Sequence, residues 1–192
     1  MIPVRDVIPS RTAPGVTVLL VAALVAALAW PAAREWWLPW VANAAVLWLF
    51  GGTVEDRLGH GRFAVFSAAC LALAAAAPLA LERTVAVPVA VSGGLAGVSA
   101  AYFLMFPRSR ILTFIPVIVG VDLTDVPAWI VCGLWAFVQV ATIWARVSSA
   151  TPPGPLAVLA SLVAGAAAGT VGWLVLRRPE RMRVDWWDLP GK

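Results

Sequence analysis

The sequence predicts an all-α membrane protein, a bundle of six transmembrane helices, and three observations carry that prediction. The first is composition: of 192 residues 61% are apolar and 12% charged, with a mean hydropathy of +0.89. A soluble domain carries about 25% charged residues, and a core of this size could not hide so much apolar surface. The second is the spacing of the charges, which leaves long charge-free stretches. The third is an uneven distribution of Lys and Arg between the intervening loops.

A charge at the bilayer centre costs about 2.5–3.5 kcal/mol by insertion scales, and a crossing helix needs about 20 apolar residues. The first span is therefore expected between Arg11 and Arg34, the second from Trp36 to Val54 and the third from Phe63 to Leu81. The fourth runs from Thr84 to Pro107 and the fifth from Val126 to Ala145. The sixth lies within Val147–Leu176 and starts after the breaker Thr151-Pro-Pro-Gly-Pro155. Ile111–Val121 is too short to cross and reads as an interfacial or buried connection, closed by Asp122 and Asp125. The chain divides into an N-terminal arm (1–14), a membrane domain (15–176) and a basic tail (177–192).

With six spans, Arg5, Arg11, Arg57, Arg62, Arg108, Arg110, Arg177, Arg178, Arg181, Arg183 and Lys192 fall on one side. Arg34, Arg83 and Arg146 fall on the other. The positive-inside rule puts both termini in the cytoplasm, and a plasma (inner) membrane location is expected. The net charge of +4 is thereby explained by topology, and no nucleic-acid partner is expected. Arg5 and Arg11 ahead of an apolar run ending in Ala27-Leu-Ala29 also have the form of a cleaved signal peptide, but the run is long for one. Trp30, Trp36, Trp37 and Trp40 around the first outer loop, Trp129 and Trp144 on the fifth span, and Trp186-Trp187 after the sixth read as interfacial anchors. The tail Arg177-Arg178-Pro-Glu-Arg181-Met-Arg183 reads as a topology anchor, with attraction to anionic headgroups as the alternative. Cys70 and Cys132 sit in apolar runs and read as small core residues. No metal or cofactor is called for.

One family's motifs recur along most of the chain. Ala90-Val-Ser92-Gly93-Gly94-Leu-Ala-Gly97-Val-Ser-Ala-Ala101-Tyr102 resembles the rhomboid intramembrane serine protease (peptidase S54) signature, a GxSG turn leading into a Gly-rich helix that ends in GAY. Trp37-Leu-Pro39-Trp-Val-Ala-Asn43 resembles the family's WLHxxxN. Leu47-Trp-Leu-Phe-Gly51, Val54-Glu55-Asp56, Gly59-His60, Arg62-Phe63, Phe106-Pro107-Arg108, Ile111-Leu-Thr113, Pro116, Pro127-Ala-Trp129 and the opening Met1-Ile-Pro-Val-Arg5-Asp6 continue the likeness. The resemblance implies a six-helix rhomboid fold, Ser92 at the nucleophile position and Asn43 at the oxyanion position. Gly93, Gly97 and Ala101 form a small-residue stripe on the fourth span, and Ser161, Gly165 and Gly169 form another on the sixth. The family packs these two helices together, and small residues let backbones approach closely. Gly97→Leu or Gly165→Leu is then expected to cost more stability than Ala74→Leu, which lies outside both stripes.

The sequence departs from the family at the base. Rhomboids carry AHxGGFxxG in the sixth span, and the histidine position here is Val158. The position that should hold the other family histidine is Pro39, and the first outer loop is short, Pro31–Glu35. A serine hydroxyl needs an adjacent base to become a nucleophile. His60, the single histidine, belongs to the second loop. Ser92 lies about 13 Å into the membrane from the other side, which puts His60 about 15 Å or more away. Lys192 is in the tail, and Glu35 and Glu82 lie in segments that do not lead to Ser92. Asn43, at a similar depth, needs a partner in lipid, and an interhelical bond to Ser92 would supply one.

The sequence reading is therefore a catalytically inactive rhomboid homologue, a pseudoprotease that contacts lipids and binds transmembrane segments of client proteins. The alternative is an active rhomboid protease. A solute transporter is disfavoured, because no charged residue lies mid-span.

Overall fold

The computed structural model describes residues 2–6, 13–30, 37–83, 87–117, 120–149 and 154–177. The first outer loop (31–36), Arg178 to Lys192 with Trp186-Trp187, and Thr151–Pro153 lie outside the described residues. The described chain forms six helices: α1 Gly15–Ala27, α2 Trp37–Leu58, α3 His60–Glu82, α4 Val87–Met105, α5 Ala128–Ser149 and α6 Pro155–Leu176. It is a helical membrane bundle that carries one small β-sheet. Five of these helices, α2 to α6, are long and apolar enough to cross a bilayer.

α1 is shorter than its apolar run suggested. Its 13 helical residues rise about 20 Å, against about 30 Å of hydrocarbon. Beyond Ala27 the backbone tightens into a final turn, with Leu28 N–H bonded to Val25 C=O, Ala29 to Ala26 and Trp30 to Ala27. At its start Val16 and Thr17 donate to the buried carboxylate of Glu55. A helix N-terminus leaves its first N–H groups without intrahelical partners, so the carboxylate caps them and complements the dipole.

Local chemistry sets the helix boundaries. Gly59 separates α2 from α3 at φ 83°, a conformation that favours glycine. It donates to Glu55 C=O and accepts from Phe63 N–H, so two helices meet there with no intervening loop. Pro155 opens α6 at a position where its missing N–H costs nothing. Within α2, Leu47–Gly51 is a π-helical turn. The extra residue it inserts rotates the faces of the helix between Asn43 and Glu55.

The connection between α4 and α5 is a finding the sequence did not disclose. It is a β-hairpin, β2 Arg110–Val117 and β3 Gly120–Pro127, antiparallel from Arg110↔Pro127 to Val117↔Gly120. The chain start, β1 Ile2–Asp6, adds to the other edge of β2, from Ile2↔Phe114 to Asp6↔Ile111, with a bulge between Pro3 and Arg5. Pro3 is thus on an edge strand, and Pro116 lies beyond the stretch that β1 covers, positions where a missing N–H is tolerated. Ala128 N–H bonds Ser109 C=O at 3.0 Å and Ile111 is fully buried, which anchors the hairpin base to the bundle.

The core lies among α2, α3 and α4. Phe50 stacks on Tyr102 with ring centroids 4.3 Å apart, and Phe103 meets Phe50 edge-on at 5.9 Å. Phe63, Phe66, Cys70 and Leu95 extend this core. The outer faces are apolar and meet lipid, as at Leu19, Phe137 and Val175. Trp30, Trp37, Trp129 and Trp144 are well exposed, as anchors would be. Trp40 is not: it is 5% exposed and faces protein. The correction has a simple cause, since Pro39, Trp40, Asn43 and Val46 form one buried face of α2, and Trp37 lies off it.

Candidate functional site

Ser92 lies on α4 and is 3% exposed; Asn43 lies on α2 and is 1% exposed. Asn43 Nδ2 donates to Ser92 Oγ at 2.9 Å. Two side chains of α5 complete the cluster. Trp135 Nε1 donates to Asn43 Oδ1 at 2.9 Å, and Gln139 Nε2 donates to the same oxygen at 3.3 Å. Trp135 and Gln139 stand four residues apart, one turn of one helix face. The result is a neutral polar knot joining three helices. Neither Trp135 nor Gln139 stands out in a search for charges or family motifs. Gln139 did carry a signal: an amide in the middle of a span is costly unless it is paired.

The position of α6 follows from its small residues. A Cβ on Gly165 would collide with the carbonyl of Gly93, and one on Gly169 with the carbonyl of Gly97. A Cβ on Gly97 would fall 2.6 Å from Gly165 O and 2.7 Å from Cys70 Sγ. Ala101 is fully buried in the same helix. The two backbones therefore run parallel in direct contact. Ser161 adds a polar tie, its hydroxyl within hydrogen-bond distance of Ala74 C=O (2.8 Å) and Val89 C=O (3.1 Å). Its side chain also occupies the space where Gly93 lacks one. Ala74 is fully buried, and its Cβ lies 2.6 Å from where a Gly93 Cβ would be. The expectation that Ala74 lies outside the packing is thus corrected. α3 supplies the third wall of the α4–α6 contact, and Ala74 is part of it.

Val158 is 2% exposed and lies one turn before Ser161 on the same buried face of α6. Its side chain is a hydrocarbon and has no lone pair with which to accept a proton. His60 stands at the far end of α2, where its Nδ1 meets Glu55 Oε1 at 2.5 Å. Twelve residues separate Asn43 from Glu55 along α2, about 18 Å of rise. Glu82 accepts the N–H of Gly154 through both oxygens, at 3.0 and 2.9 Å, which caps α6. The described side-chain bond to Ser92 comes from Asn43, an amide with no basicity to lend. What the cluster does chemically is donate hydrogen bonds. Cys70 and Cys132 are free thiols.

Neither a search of the curated proteins nor a search of the solved structures gives a match. Residues 36–178 match the family model described as Rhomboid domain, a range that includes Asn43, Ser92 and Val158. The match covers about three quarters of the sequence, and the chain belongs to the rhomboid family.

Proposed function

We propose that this rhomboid-family membrane protein is a pseudoprotease that binds transmembrane segments of client proteins without cleaving them. The observation that carries the reading is the pairing of a buried Ser92 with Asn43, beside a buried hydrocarbon at Val158, the residue that the resemblance sets at the family's histidine position. A serine without a base attacks an amide too slowly to turn over. Asn43 stands where the resemblance expects an oxyanion donor, yet such a donor stabilises charge only after attack has begun. The retained features favour holding a polypeptide. The α4–α6 contact brings two backbones together, and the exposed apolar side chains Leu134, Phe137 and Val140 of α5 offer a surface to a membrane segment. The charge distribution supports an inner-membrane location with both termini in the cytoplasm.

Labelling with a fluorophosphonate probe tests the reading. The wild-type protein in detergent should show no Ser92-dependent adduct and should leave a generic rhomboid substrate uncut. An adduct lost in Ser92→Ala would establish the active-protease alternative instead. Photo-crosslinking from exposed positions on α5, such as Phe137, should then capture membrane-spanning partners.

A further inference from the structure

Arg62 lies in the first turn of α3, and Arg177 is the residue on which α6 ends. The two ends meet. A Cβ on Gly172 of α6 would fall 2.9 Å from the ring of Phe66 of α3, so the helices run close together there. One N–H of the exposed Arg62 guanidinium donates to the C=O of Leu176 at 3.2 Å, which holds the group beside the backbone of Arg177. Like charges set side by side repel unless an anion lies between them. Among the described residues neither arginine has a carboxylate within ion-pair distance, and the Arg177 side chain has no partner. The Glu55 carboxylate near the start of α3 is buried and taken up by α1 and His60. The level of the pair is set by its neighbours. Leu174 and Val175, within three residues of Arg177, and Val65, three residues beyond Arg62, are apolar and more than half exposed. Three residues of helix rise about 4.5 Å. Both guanidinium groups therefore stand where the hydrocarbon ends and the headgroups begin.

We propose that Arg62 and Arg177 form a clamp for the phosphate of an anionic phospholipid, at the end of the bundle where α3 begins and α6 stops. The site is independent of the client-binding reading above. A guanidinium presents its N–H donors in a planar fork that matches two oxygens of one phosphate. The Leu176 carbonyl fixes the Arg62 fork through one donor and leaves the others free. A phosphate between the two arginines cancels their repulsion and ties the ends of α3 and α6 together. A free phosphate offers the same oxygens, but the exposed apolar turns beside the clamp fit an acyl chain, which a free ion lacks. A zwitterionic lipid brings its own ammonium to the phosphate, so the anionic headgroup is the better match. The Lys and Arg bias assigns this end to the cytoplasmic leaflet, whose negative surface potential marks it as the anionic one.

Native mass spectrometry of the full chain released from detergent tests the clamp. The probes are phosphatidylglycerol and phosphatidylcholine with the same acyl chains, and inorganic phosphate. The wild type should bind its first phosphatidylglycerol more tightly than its first phosphatidylcholine. Arg62→Gln and Arg177→Gln should each weaken phosphatidylglycerol about fivefold, the share of one basic residue at a membrane surface, and leave phosphatidylcholine unchanged. Arg62→Lys keeps the charge and loses the planar fork, and should fall between Arg62→Gln and the wild type. Arg108→Gln, at an exposed arginine beyond the end of α4, should change nothing. Equal affinity of the wild type for the two lipids would overturn the proposal. A loss in Arg108→Gln equal to that in Arg177→Gln would overturn it too, because the preference would then belong to the whole basic rim. Inorganic phosphate bound as tightly as phosphatidylglycerol, and lost in Arg177→Gln, would make the ligand a free anion and overturn the lipid. Arg177 touches no described side chain, so its variant decides the matter even if the Arg62 variants fold poorly.

Discussion

Asn43 donates its side-chain amide to the hydroxyl of Ser92 across 2.9 Å, so that the two buried polar residues the resemblance singles out satisfy each other. The same asparagine accepts from Trp135 and Gln139. One amide thus holds α2, α4 and α5 together, which makes it a structural residue whatever else it does.

Asn43→Leu should accordingly destabilise the protein. It leaves the Trp135 and Gln139 N–H groups unpaired in a dry interior, at about 1–3 kcal/mol for each buried group left without a partner. Asn43→Leu combined with Gln139→Leu should recover part of the loss, because the second change removes an orphaned donor. Thermal unfolding in detergent measures both. A double mutant no more stable than the single would argue against the Asn43–Gln139 bond.

Gly165→Leu should be severely destabilising, because its side chain would have to displace the backbone of Gly93. Overpacking a core costs about 1–3 kcal/mol when side chains can give way, and a backbone gives way less. Ala74→Leu should now also be damaging, since it points into the same junction. Ala72→Leu, on the exposed side of α3, is the proper control and should be near neutral. Equal stability of Gly165→Leu and Ala72→Leu would remove the close α4–α6 contact.

Glu55 accepts from Val16 N–H, Thr17 N–H, the Thr17 hydroxyl and His60. Hydrogen bonds to a charged group are worth about 1.5–3 kcal/mol each. Glu55→Leu should release α1, and Glu55→Gln, which keeps the shape and loses the charge, should fall between it and wild type. Limited proteolysis ahead of Gly15 and thermal unfolding report the two effects. Unchanged proteolysis in Glu55→Leu would mean that α1 is held by its apolar packing alone.

Membrane orientation is checked with cysteines placed at exposed positions. Gly61 is open, with nothing within 4 Å of an added Cβ, and Glu82 is exposed. In intact cells Gly61→Cys should resist an impermeant thiol reagent and Glu82→Cys should react, given the Lys and Arg bias. The reverse pattern would invert the topology.

Restoring a base is the most demanding test of the site. Val158→His with Ala90→Gly should bring weak fluorophosphonate labelling of Ser92 where the wild type is expected to give none, because a positioned base is worth about 100- to 10,000-fold. Both positions are buried, at 2% and 4% exposure, so some loss of stability is expected. Full proteolysis should not return while Pro39 stands at the other histidine position. Absence of labelling in a folded double mutant would mean that a side chain at 158 does not reach Ser92.

The sequence alone determined the membrane class and the membrane-crossing segments α2 to α6, for one physical reason. Lipid forbids unpaired charge, so charges record the boundaries of the spans, and small residues record where backbones must touch. Only the tertiary structure decided the rest. That Trp40 faces protein while Trp37 faces lipid depends on which side of α2 its neighbours occupy, and tryptophan suits either environment. That Trp135 and Gln139 converge on Asn43 depends on the placement of α5, a helix whose own sequence names no partner. That Ala74 lines the α4–α6 contact depends on α3 leaning into it, and alanine looks the same in a seam as in lipid. The pairing of Ile2–Asp6 with the Arg110–Val117 strand joins segments more than 100 residues apart, and strand pairing over that distance leaves no local trace in either of them.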